Sequence, residues 1–263
     1  PLVTSFHTLF PDYAAGYGLG PARSAAWALL RRFHAPAVQT LVPSTDTRDR
    51  LRAARFHPRL EIWSRGVEEA RFHPRYHDLA TRRALAPGAQ VILLYVGRLA
   101  PEKRLGLLLE AFRRVRVEAS VEVGLALVGG GPMEGALRKE RPPGVHLAGY
   151  LSGDALARAY ASADLFAFPS DTETFGNVVL EAMASGLPVV GVNRGGVRDS
   201  VVPGETGLLV PPGDAPALAE ALLALVEDPM RRGAMGAEGR RRAEARPWPR
   251  ILDGVVNSYL EAR

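Results

Sequence analysis

The sequence predicts an α/β protein built on parallel β-sheets. Wholly apolar runs of four to six residues alternate with longer segments whose apolar side chains recur at helical spacing, the pattern of repeated strand-helix units. Glycines and prolines follow the apolar runs, as is typical of a buried strand that ends in a tight loop. The 263 residues, of which 47% are hydrophobic, are enough for one large domain or two smaller ones with a sizeable core.

The first 65 residues predict part of an α/β domain. Three strands and one helix are predicted here, at residues 2–6, 39–42 and 60–63 and at residues 23–33. The chain begins at Pro1 with an apolar strand signal and shows no signal-peptide pattern. We therefore expect residues 1–65 to be the second half of a domain whose first half lies upstream.

Residues 66–246 predict one complete doubly wound domain. Its predicted strands are Val91–Val96, Val123–Val128, 146–149, Leu165–Phe168, 188–192 and Gly207–Val210. Five helices are predicted between or after these strands. The first contains Leu105 to Phe112, the second starts from a cap at Asp154, the third covers Asn177–Ala184, the fourth covers 197–202, and the fifth starts from a cap at Asp214. Residues 247–263 predict an amphipathic helix that turns Ile251, Val255, Tyr259 and Leu260 toward an apolar surface.

Composition excludes several classes of protein. Without cysteine, the chain cannot form a disulfide framework or a thiol nucleophile, and its apolar runs are far too short to cross a bilayer. The formal net charge is +5, but only two of the 33 cationic side chains, Lys103 and Lys139, are lysines, and the arginines are dispersed. The charge favours anionic small molecules or lipid headgroups at least as strongly as nucleic acid. The scarcity of thermolabile residues indicates a thermophilic source.

The richest motif, ETFGNVVLEAMASG at residues 173–186, follows a predicted strand and opens a predicted helix. Ligands of parallel sheets bind where strands end, and the backbone N–H groups that open such a helix suit a diphosphate. Glu173 is predicted to accept hydrogen bonds from sugar hydroxyls, and Glu181 to hold the two ribose hydroxyls. The alternative is that Glu173 is an ordinary helix-start carboxylate and Glu181 an ordinary surface carboxylate. The residues expected along this helix start are Thr174, Phe175, Gly176, Asn177 and Val178.

A second motif, GRLAPEK at residues 97–103, also follows a predicted strand. Gly97 ends the strand and is one of the predicted donor-binding residues, and Arg98 and Lys103 are predicted to meet the same anion from across the sheet. Two cations there would neutralise a departing diphosphate without a metal ion. The alternative is that both cations are simply solvated at the start of a helix.

Three weaker signals complete the predicted site. His7 ends a strand beside hydroxyl side chains, whereas the other histidines are predicted to be structural. Gly129 and Gly130 form a tight turn that is predicted to approach a nucleobase, together with the strand end at Tyr150 and Leu151. No metal site is expected, because the acidic pair at residues 171 and 173 includes a carboxylate already assigned to the sugar.

Taken together, the motifs resemble family four of the retaining GT-B glycosyltransferases, also called glycosyltransferase group 1. The resemblance covers essentially the whole chain, because the segments occur in the family's order. They are TSFHT at 4–8, VPS at 42–44, RGV at 65–67, GRLAPEK at 97–103, VGGGP at 128–132, ETFGNVVLEAMASG at 173–186 and GETG at 204–207.

This resemblance implies two Rossmann-like domains that face each other across a cleft. Residues 1–65 would belong to the acceptor-side domain, which is incomplete here, residues 66–246 would bind the nucleotide sugar, and the helix in 247–263 would return to the first domain. The roles that it implies are diphosphate binding for Arg98 and Lys103, sugar binding for Glu173 with the backbone at Phe175 and Gly176, ribose binding for Glu181, and contact near the reacting carbon for His7. It implies retention of the anomeric configuration and no cofactor or metal.

Within the family, the segments 5–20, 65–68 and 72–74 look most like lipid-directed α-mannosyl and α-glucosyl transferases. This favours GDP-mannose as donor, with UDP-glucose second, and a lipid or glycoconjugate acceptor. The expected location is cytoplasmic, with peripheral contact at the inner face of the membrane through the helix at 23–33, for which burial in the domain is the alternative. No nucleic acid partner is expected. The alternative functions are a phosphorylase or epimerase of the same fold, and a nucleotide-sugar-binding fragment without activity.

Overall fold

Two parallel β-sheets organise the residues that the structure, a computed structural model, describes, namely 1–9, 23–56 and 59–262. Residues 10–20, which carry part of the resemblance to the family, lie outside these ranges, and so does His57. The α/β class predicted from the sequence is confirmed, because every strand pairing within the two sheets is parallel. The exact domain boundaries stay a prediction.

The N-terminal sheet holds three strands in chain order: β1 (Val3–Ser5), β2 (Gln39–Val42) and β3 (Leu60–Ile62). Helix α1 (Arg23–His34) lies between the first two strands in the chain, and helix α2 (Thr45–Ala53) between the last two. Every residue of β2 is buried, which requires cover on both faces of the sheet. A small core built around Phe6, Leu51, Phe56 and Leu60 supplies part of that cover, and the partly buried Trp27 and Leu30 pack against it.

The C-terminal sheet has six strands in the spatial order β6-β5-β4-β7-β8-β9. They are β4 (Val91–Val96), β5 (Val123–Val128), β6 (Val145–Gly149), β7 (Leu165–Phe168), β8 (Val189–Val192) and β9 (Gly207–Val210). The central strands are buried along their whole length, so the wholly apolar runs of the sequence mark the middle of the main core.

Helices cover this sheet and connect its strands. They are α3 (Leu79–Leu85), α4 (Leu105–Glu118), α5 (Glu134–Glu140), α6 (Gly153–Ala161), α7 (Asn177–Ala184), α8 (Gly195–Ser200), α9 (Ala215–Val226), α10 (Pro229–Glu244) and α11 (Trp248–Glu261). Helix α4 packs against α9, α7 packs against α10, and α3 packs against α6. Two short 3-10 turns lie at Pro74–Tyr76 and Pro101–Lys103.

The strand predictions are confirmed to within one or two residues, whereas two helix predictions need correction and helices α2, α3, α5 and α10 were not predicted. Helix α6 begins after Ser152, so Asp154 lies inside its first turn and is not the cap. The short helix expected at 197–202 starts two residues earlier, at Gly195. Helix α2 had no clear signal, because its polar sequence TDTRDR shows little apolar periodicity; the side chain of Ser44, which accepts from the Thr47 N–H at 3.2 Å, marks its start.

The last helix, α11, has the predicted length but not the predicted buried face. Ile251 and Val255 are half-buried, while Tyr259 and Leu260 are about half exposed, at 51% and 54%. The prediction that all four turn toward an apolar surface is therefore wrong for the last two. Among the helices that the structure describes, none combines the length and the apolar character needed to span a membrane.

Candidate active site

The candidate site lies where the loops after β4 and β7 meet. These two strands are neighbours in the sheet, yet the chain continues from β4 to β5 on one side and from β7 to β8 on the other. Such a switch point opens a crevice at the carboxyl ends of the strands. Lys103 follows β4 and Glu173 follows β7, so the topology brings together two motifs that are 70 positions apart in the sequence.

Two ion pairs join these loops across the crevice. Lys103 Nζ lies 2.9 Å from Glu173 Oε2, and Arg104 Nη2 lies 3.2 Å from Asp171 Oδ2. The side chains of Lys103 and Glu173 are 15% and 19% exposed, so the pair is partly withdrawn from water but open to the crevice. The sequence analysis assigned Lys103 to the diphosphate and Glu173 to the sugar of one ligand. In the structure these two side chains hold each other in place.

The start of α7 faces the same crevice. Gly176 precedes the helix with a positive φ of 74°, a conformation that favours glycine, and its N–H donates to Glu173 Oε1 at 3.4 Å. The N–H groups of Asn177 and Val178 fall in the first turn, where a helix offers no intrahelical acceptor. Glu173 is therefore fixed through both carboxylate oxygens, beside donors that an anion can use.

Two glycines missed by the sequence analysis support this loop from behind. A Cβ on Gly195 would stand 2.0 Å from the Glu173 carbonyl oxygen, and one on Gly196 would stand 2.5 Å from the Phe175 carbonyl carbon. The Gly196 N–H donates to the Glu173 carbonyl at 3.0 Å. The local signal was a pair of glycines that follows β8 after two intervening residues, and it did not indicate which loop they touch.

Glu181 lies one turn into α7 and is mostly buried. Its Oε2 accepts a hydrogen bond of 2.9 Å from the hydroxyl of Tyr160, a fully buried residue of α6. Burial is the main cause that raises the pKa of Glu181 to about 7; the hydrogen bond from Tyr160 opposes the rise, and the charge of Glu68 adds to it. This carboxyl group is therefore not the ordinary surface carboxylate that was the alternative.

Arg98 and the glycine loops form the outer part of the site. The Arg98 side chain is 59% exposed, and its Nη1 lies 3.6 Å from Glu102 Oε1 rather than joining the Lys103 pair. The missing Cβ of Gly129 makes room for the Gly97 carbonyl oxygen, which would lie only 2.0 Å away. Gly129 thus has a packing role, while Gly130 has an open side on which a Cβ would meet nothing closer than 3.8 Å.

The predicted nucleobase contacts lie at the end of β6. Tyr150 is strongly exposed there, and Leu151 is half-buried against the core. Within the described ranges there is no group of three or more acidic, histidine or cysteine side chains placed to hold a metal ion. The nucleotide roles of these residues stay predictions.

His7 reaches this region from the N-terminal sheet. Its carbonyl oxygen accepts a hydrogen bond of 3.0 Å from Thr174 Oγ1, and its ring centre lies 5.6 Å from that of Phe175. Burial and the charge of Arg65 lower the pKa of His7, which favours the neutral imidazole at neutral pH. The structure therefore places His7 beside the loop that carries Glu173, although the two are far apart in the sequence.

The sequence analysis missed two further contacts between the N-terminal and the C-terminal parts of the fold. Arg65 sits among aromatic rings beside Phe175. Asp199 of α8 accepts hydrogen bonds from the backbone N–H of Thr45, at 2.6 Å, and from its hydroxyl, so it supports the start of α2 across the gap between the sheets. Neither contact has a signal in the sequence, because both depend on how the two sheets meet.

Comparisons with known proteins agree with this architecture. The family described as Glycosyl transferases group 1 matches residues 90–228, and Glycosyltransferase Family 4 matches residues 1–71. A GDP-mannose-dependent α-mannosyltransferase of Mycolicibacterium smegmatis is 40% identical over 98% of this chain and 66% of its own length. A sulfoquinovosyl transferase of Arabidopsis thaliana is 36% identical over 100% of this chain and 52% of its own length. The chain thus spans between about half and two thirds of these relatives.

Solved structures show the same arrangement. A sucrose-phosphate synthase from Thermosynechococcus elongatus superimposes with a TM-score of 0.83 at 28% identity, over 98% of this chain and 67% of its own. Anabaena HepE in complex with UDP-glucose also gives a TM-score of 0.83, at 20% identity, over 99% of this chain and 72% of its own. The second similarity supports the fold alone.

Proposed function

Because the chain belongs to the glycosyltransferase group 1 family and has its GT-B fold, we propose that it transfers an α-linked hexose from a nucleotide diphosphate sugar to an acceptor. The observation that carries the proposal is the Lys103–Glu173 ion pair at the switch point, beside the first turn of α7. It offers a cation for a diphosphate and a carboxylate for sugar hydroxyls within one crevice.

The diphosphate is proposed to lie against the first turn of α7, with Lys103 and Arg98 on its other side. The lysine ammonium has three donors, so it can keep its bond to Glu173 while it donates to a phosphate oxygen. As the bond between the anomeric carbon and the diphosphate oxygen breaks, negative charge grows on the diphosphate. Preorganised cations and backbone donors stabilise that charge without a metal ion.

Retention is proposed to follow from attack on the same face. The acceptor oxygen bonds to the anomeric carbon on the side from which the diphosphate departs, and the acceptor proton passes to the departing diphosphate oxygen. His7, whose carbonyl oxygen accepts from Thr174 beside Glu173 and whose pKa is lowered by burial and by Arg65, is proposed to hydrogen-bond the transferred sugar near that carbon. Glu173 orients the sugar hydroxyls, and Glu181 accepts from the ribose.

GDP-mannose is the first proposed donor and UDP-glucose the second. Support for the first comes from relatives at 40% and 39% identity that are named as GDP-mannose-dependent α-mannosyltransferases. The exposed strand end at Tyr150 and the open side of Gly130 are the proposed base contacts.

The proposed acceptor is a lipid or glycoconjugate at the inner face of the cell membrane. Support comes from helix α1, which exposes Leu29 and Phe33 to 68% and 65% beside the exposed Arg32. An apolar pair next to cationic side chains is the surface that suits an anionic bilayer. The other face of this helix packs Trp27 and Leu30 on the N-terminal core, so burial and membrane contact use different faces.

Calorimetry and turnover test the proposal together. We expect the protein to bind GDP in the presence of EDTA, more tightly than UDP or ADP, and to transfer mannose from GDP-mannose to a lipid extract. Replacing Lys103 or Glu173 by alanine should lower turnover by about two to three decades, as expected for loss of one preorganised group. Lys139→Ala, which removes the other lysine at an exposed position of α5, is the matched control.

The products separate the alternatives. A phosphorylase would make a sugar phosphate from free phosphate, and an epimerase would return an altered nucleotide sugar without an acceptor. Nucleotide binding without any transfer would identify a binding fragment. Near-normal rates in both the Lys103 and Glu173 variants would contradict the roles proposed for them.

A further inference from the structure

Arg65 lies among three aromatic rings that come from three parts of the fold. Its guanidinium carbon is 3.9 Å from the ring centre of Phe175, 4.5 Å from that of Trp63 and 5.8 Å from that of Trp248. Phe175 belongs to the loop after β7, Trp63 directly follows β3, and Trp248 opens α11. One cation thus sits at the junction of the N-terminal sheet, the C-terminal sheet and the last helix.

Ring faces surround this cation, and no carboxylate of residues 1–9, 23–56 or 59–262 forms an ion pair with it. The Nε of Arg65 and the indole Nε1 of Trp63 are both buried, and neither has a hydrogen-bond partner in the part of the chain that the structure describes. Burial lowers the pKa of Arg65, as expected for a charge withdrawn from water. The negative faces of aromatic rings supply part of the electrostatic stabilisation that such a guanidinium loses.

The position of the Phe175 ring depends on this contact. A cavity of about 260 Å³ lies at the same junction, and Ser64, Arg65, Phe175 and Arg246 are among the residues that line it. A ring that borders a cavity has fewer packing partners, so its close contact with the Arg65 guanidinium has a large share in fixing it. The backbone of Phe175 is part of the loop that holds Glu173 and opens α7.

Arg65 also acts on the opposite wall of the crevice. The ring centre of His7 lies 5.6 Å from both Trp63 and Phe175, and Arg65 is the charged group that lowers the pKa of His7. One guanidinium therefore influences both the loop of Glu173 and the imidazole that faces it.

We propose that Arg65 is a positioning residue that holds Phe175 and His7 in register, so that the start of α7 and the imidazole meet the same donor sugar. The inference rests on the proposed function and adds a requirement to it. Binding of the sugar and diphosphate portion of the donor depends on Arg65, whereas binding of the nucleoside portion, which lies toward Gly130 and Glu181, does not.

Three variants test this assignment. Arg65→Met keeps an unbranched side chain without charge, Arg65→Lys keeps charge without the planar guanidinium, and Arg75→Met is the matched control. Arg75 also stacks on an aromatic ring, with its guanidinium carbon 4.9 Å from the centre of Tyr76, but away from this junction. We expect Arg65→Met to lose about tenfold or more in kcat/KM for the nucleotide sugar, while its affinity for the nucleoside monophosphate changes less than about twofold.

Histidine titration by NMR supplies a readout that needs no turnover. The His7 resonance is assigned by its loss in His7→Gln. Removing the charge of Arg65 should raise the pKa of His7, whereas Arg65→Lys should leave it lowered and still lose affinity for the nucleotide sugar. Phe175→Leu should reproduce the loss in kcat/KM, and combining it with Arg65→Met should add little, because both changes break one contact.

The outcomes are separable. If the unaltered protein neither binds nucleotide nor transfers sugar, the proposed function fails, while the His7 titration still tests the contact with Arg65. If Arg65→Met matches Arg75→Met in kcat/KM, or weakens nucleoside monophosphate as much as nucleotide sugar, the inference is overturned. If melting shows that Arg65→Met does not fold, the same comparison is made with Arg65→Lys, whose altered geometry alone should lower kcat/KM.

Discussion

Replacing Glu181 by glutamine is expected to stabilise the protein above neutral pH while it weakens nucleotide binding. The carboxyl group is mostly buried beside the fully buried Tyr160, and Glu68 adds a like charge, so its pKa rises from 4.5 to about 7. The unfolded chain releases this proton near pH 4.5, whereas the folded protein keeps it until about pH 7. Stability therefore falls as the pH rises through this window, because the unfolded state binds fewer protons.

The magnitude follows from the same two pKa values. The interval between 4.5 and about 7 corresponds to about 3 kcal/mol of folding free energy lost by about pH 8, at 1.36 kcal/mol for each pH unit. Glutamine keeps an oxygen that can accept from the Tyr160 hydroxyl, yet it never ionises. The Glu181→Gln variant should therefore be nearly as stable as the parent at about pH 4 and up to about 3 kcal/mol more stable at about pH 8.

Denaturant unfolding at both pH values measures the difference, with the slope of the transition as a check that the unfolded states are comparable. Glu118→Gln is the control, since that carboxylate is 41% exposed and paired with Arg114. In parallel, the variant should bind GDP about tenfold or more weakly, because a neutral amide replaces a charged acceptor of the ribose hydroxyls. A stability difference that stays constant between the two pH values would refute the account of a buried, un-ionised Glu181.

Three further results are expected. Asp199→Ala removes the carboxylate that accepts from Thr45, so it should lower the free energy of unfolding by about 1–2 kcal/mol in a denaturant titration. Asp253→Ala, on the exposed side of α11, is the control. Equal stabilities of the two variants would contradict a link between the sheets. The affinity of the parent protein for GDP should rise between about pH 6 and pH 8, as Glu181 ionises, whereas the affinity of Glu181→Gln should not. If calorimetry gives both proteins the same pH dependence, GDP binding is not linked to the ionisation of Glu181. Replacing Leu29 and Phe33 by serine should reduce sedimentation with anionic vesicles by about tenfold at unchanged stability, whereas unchanged sedimentation would remove α1 from the membrane.

The sequence was most informative where one local rule decides the outcome. The runs that became β4 and β5 are wholly apolar because both faces of a parallel sheet are covered, so composition alone identifies them. The motif around Glu173 was equally legible, since a strand, a glycine and an apolar helix follow one another without interruption. Its partner Lys103 could be proposed only as a cation somewhere across the sheet; the 2.9 Å contact required the neighbouring positions of β4 and β7.

Other features were hidden because they depend on contacts between distant segments. Gly129 was predicted from its tight turn, and no sequence pattern showed that its absent Cβ also makes room for the carbonyl of Gly97 in the adjacent loop. Helix α2 has a weak apolar pattern and receives support at its start from Asp199, which is 154 positions away in the sequence. No local pattern in residues 63–65 indicates that their arginine meets the rings of Phe175 and Trp248, which lie more than 100 positions further along the sequence.

The residues that break local rules lie around the same crevice. Glu181 is a carboxyl group mostly buried next to a tyrosine, and Arg65 is a cation that lies among aromatic rings. Each lowers the stability of the folded chain relative to an apolar residue of similar size, since burial disfavours its charged form. A site that binds a charged ligand requires polar groups of this kind. Here they lie around one switch point, beside the backbone N–H donors in the first turn of α7.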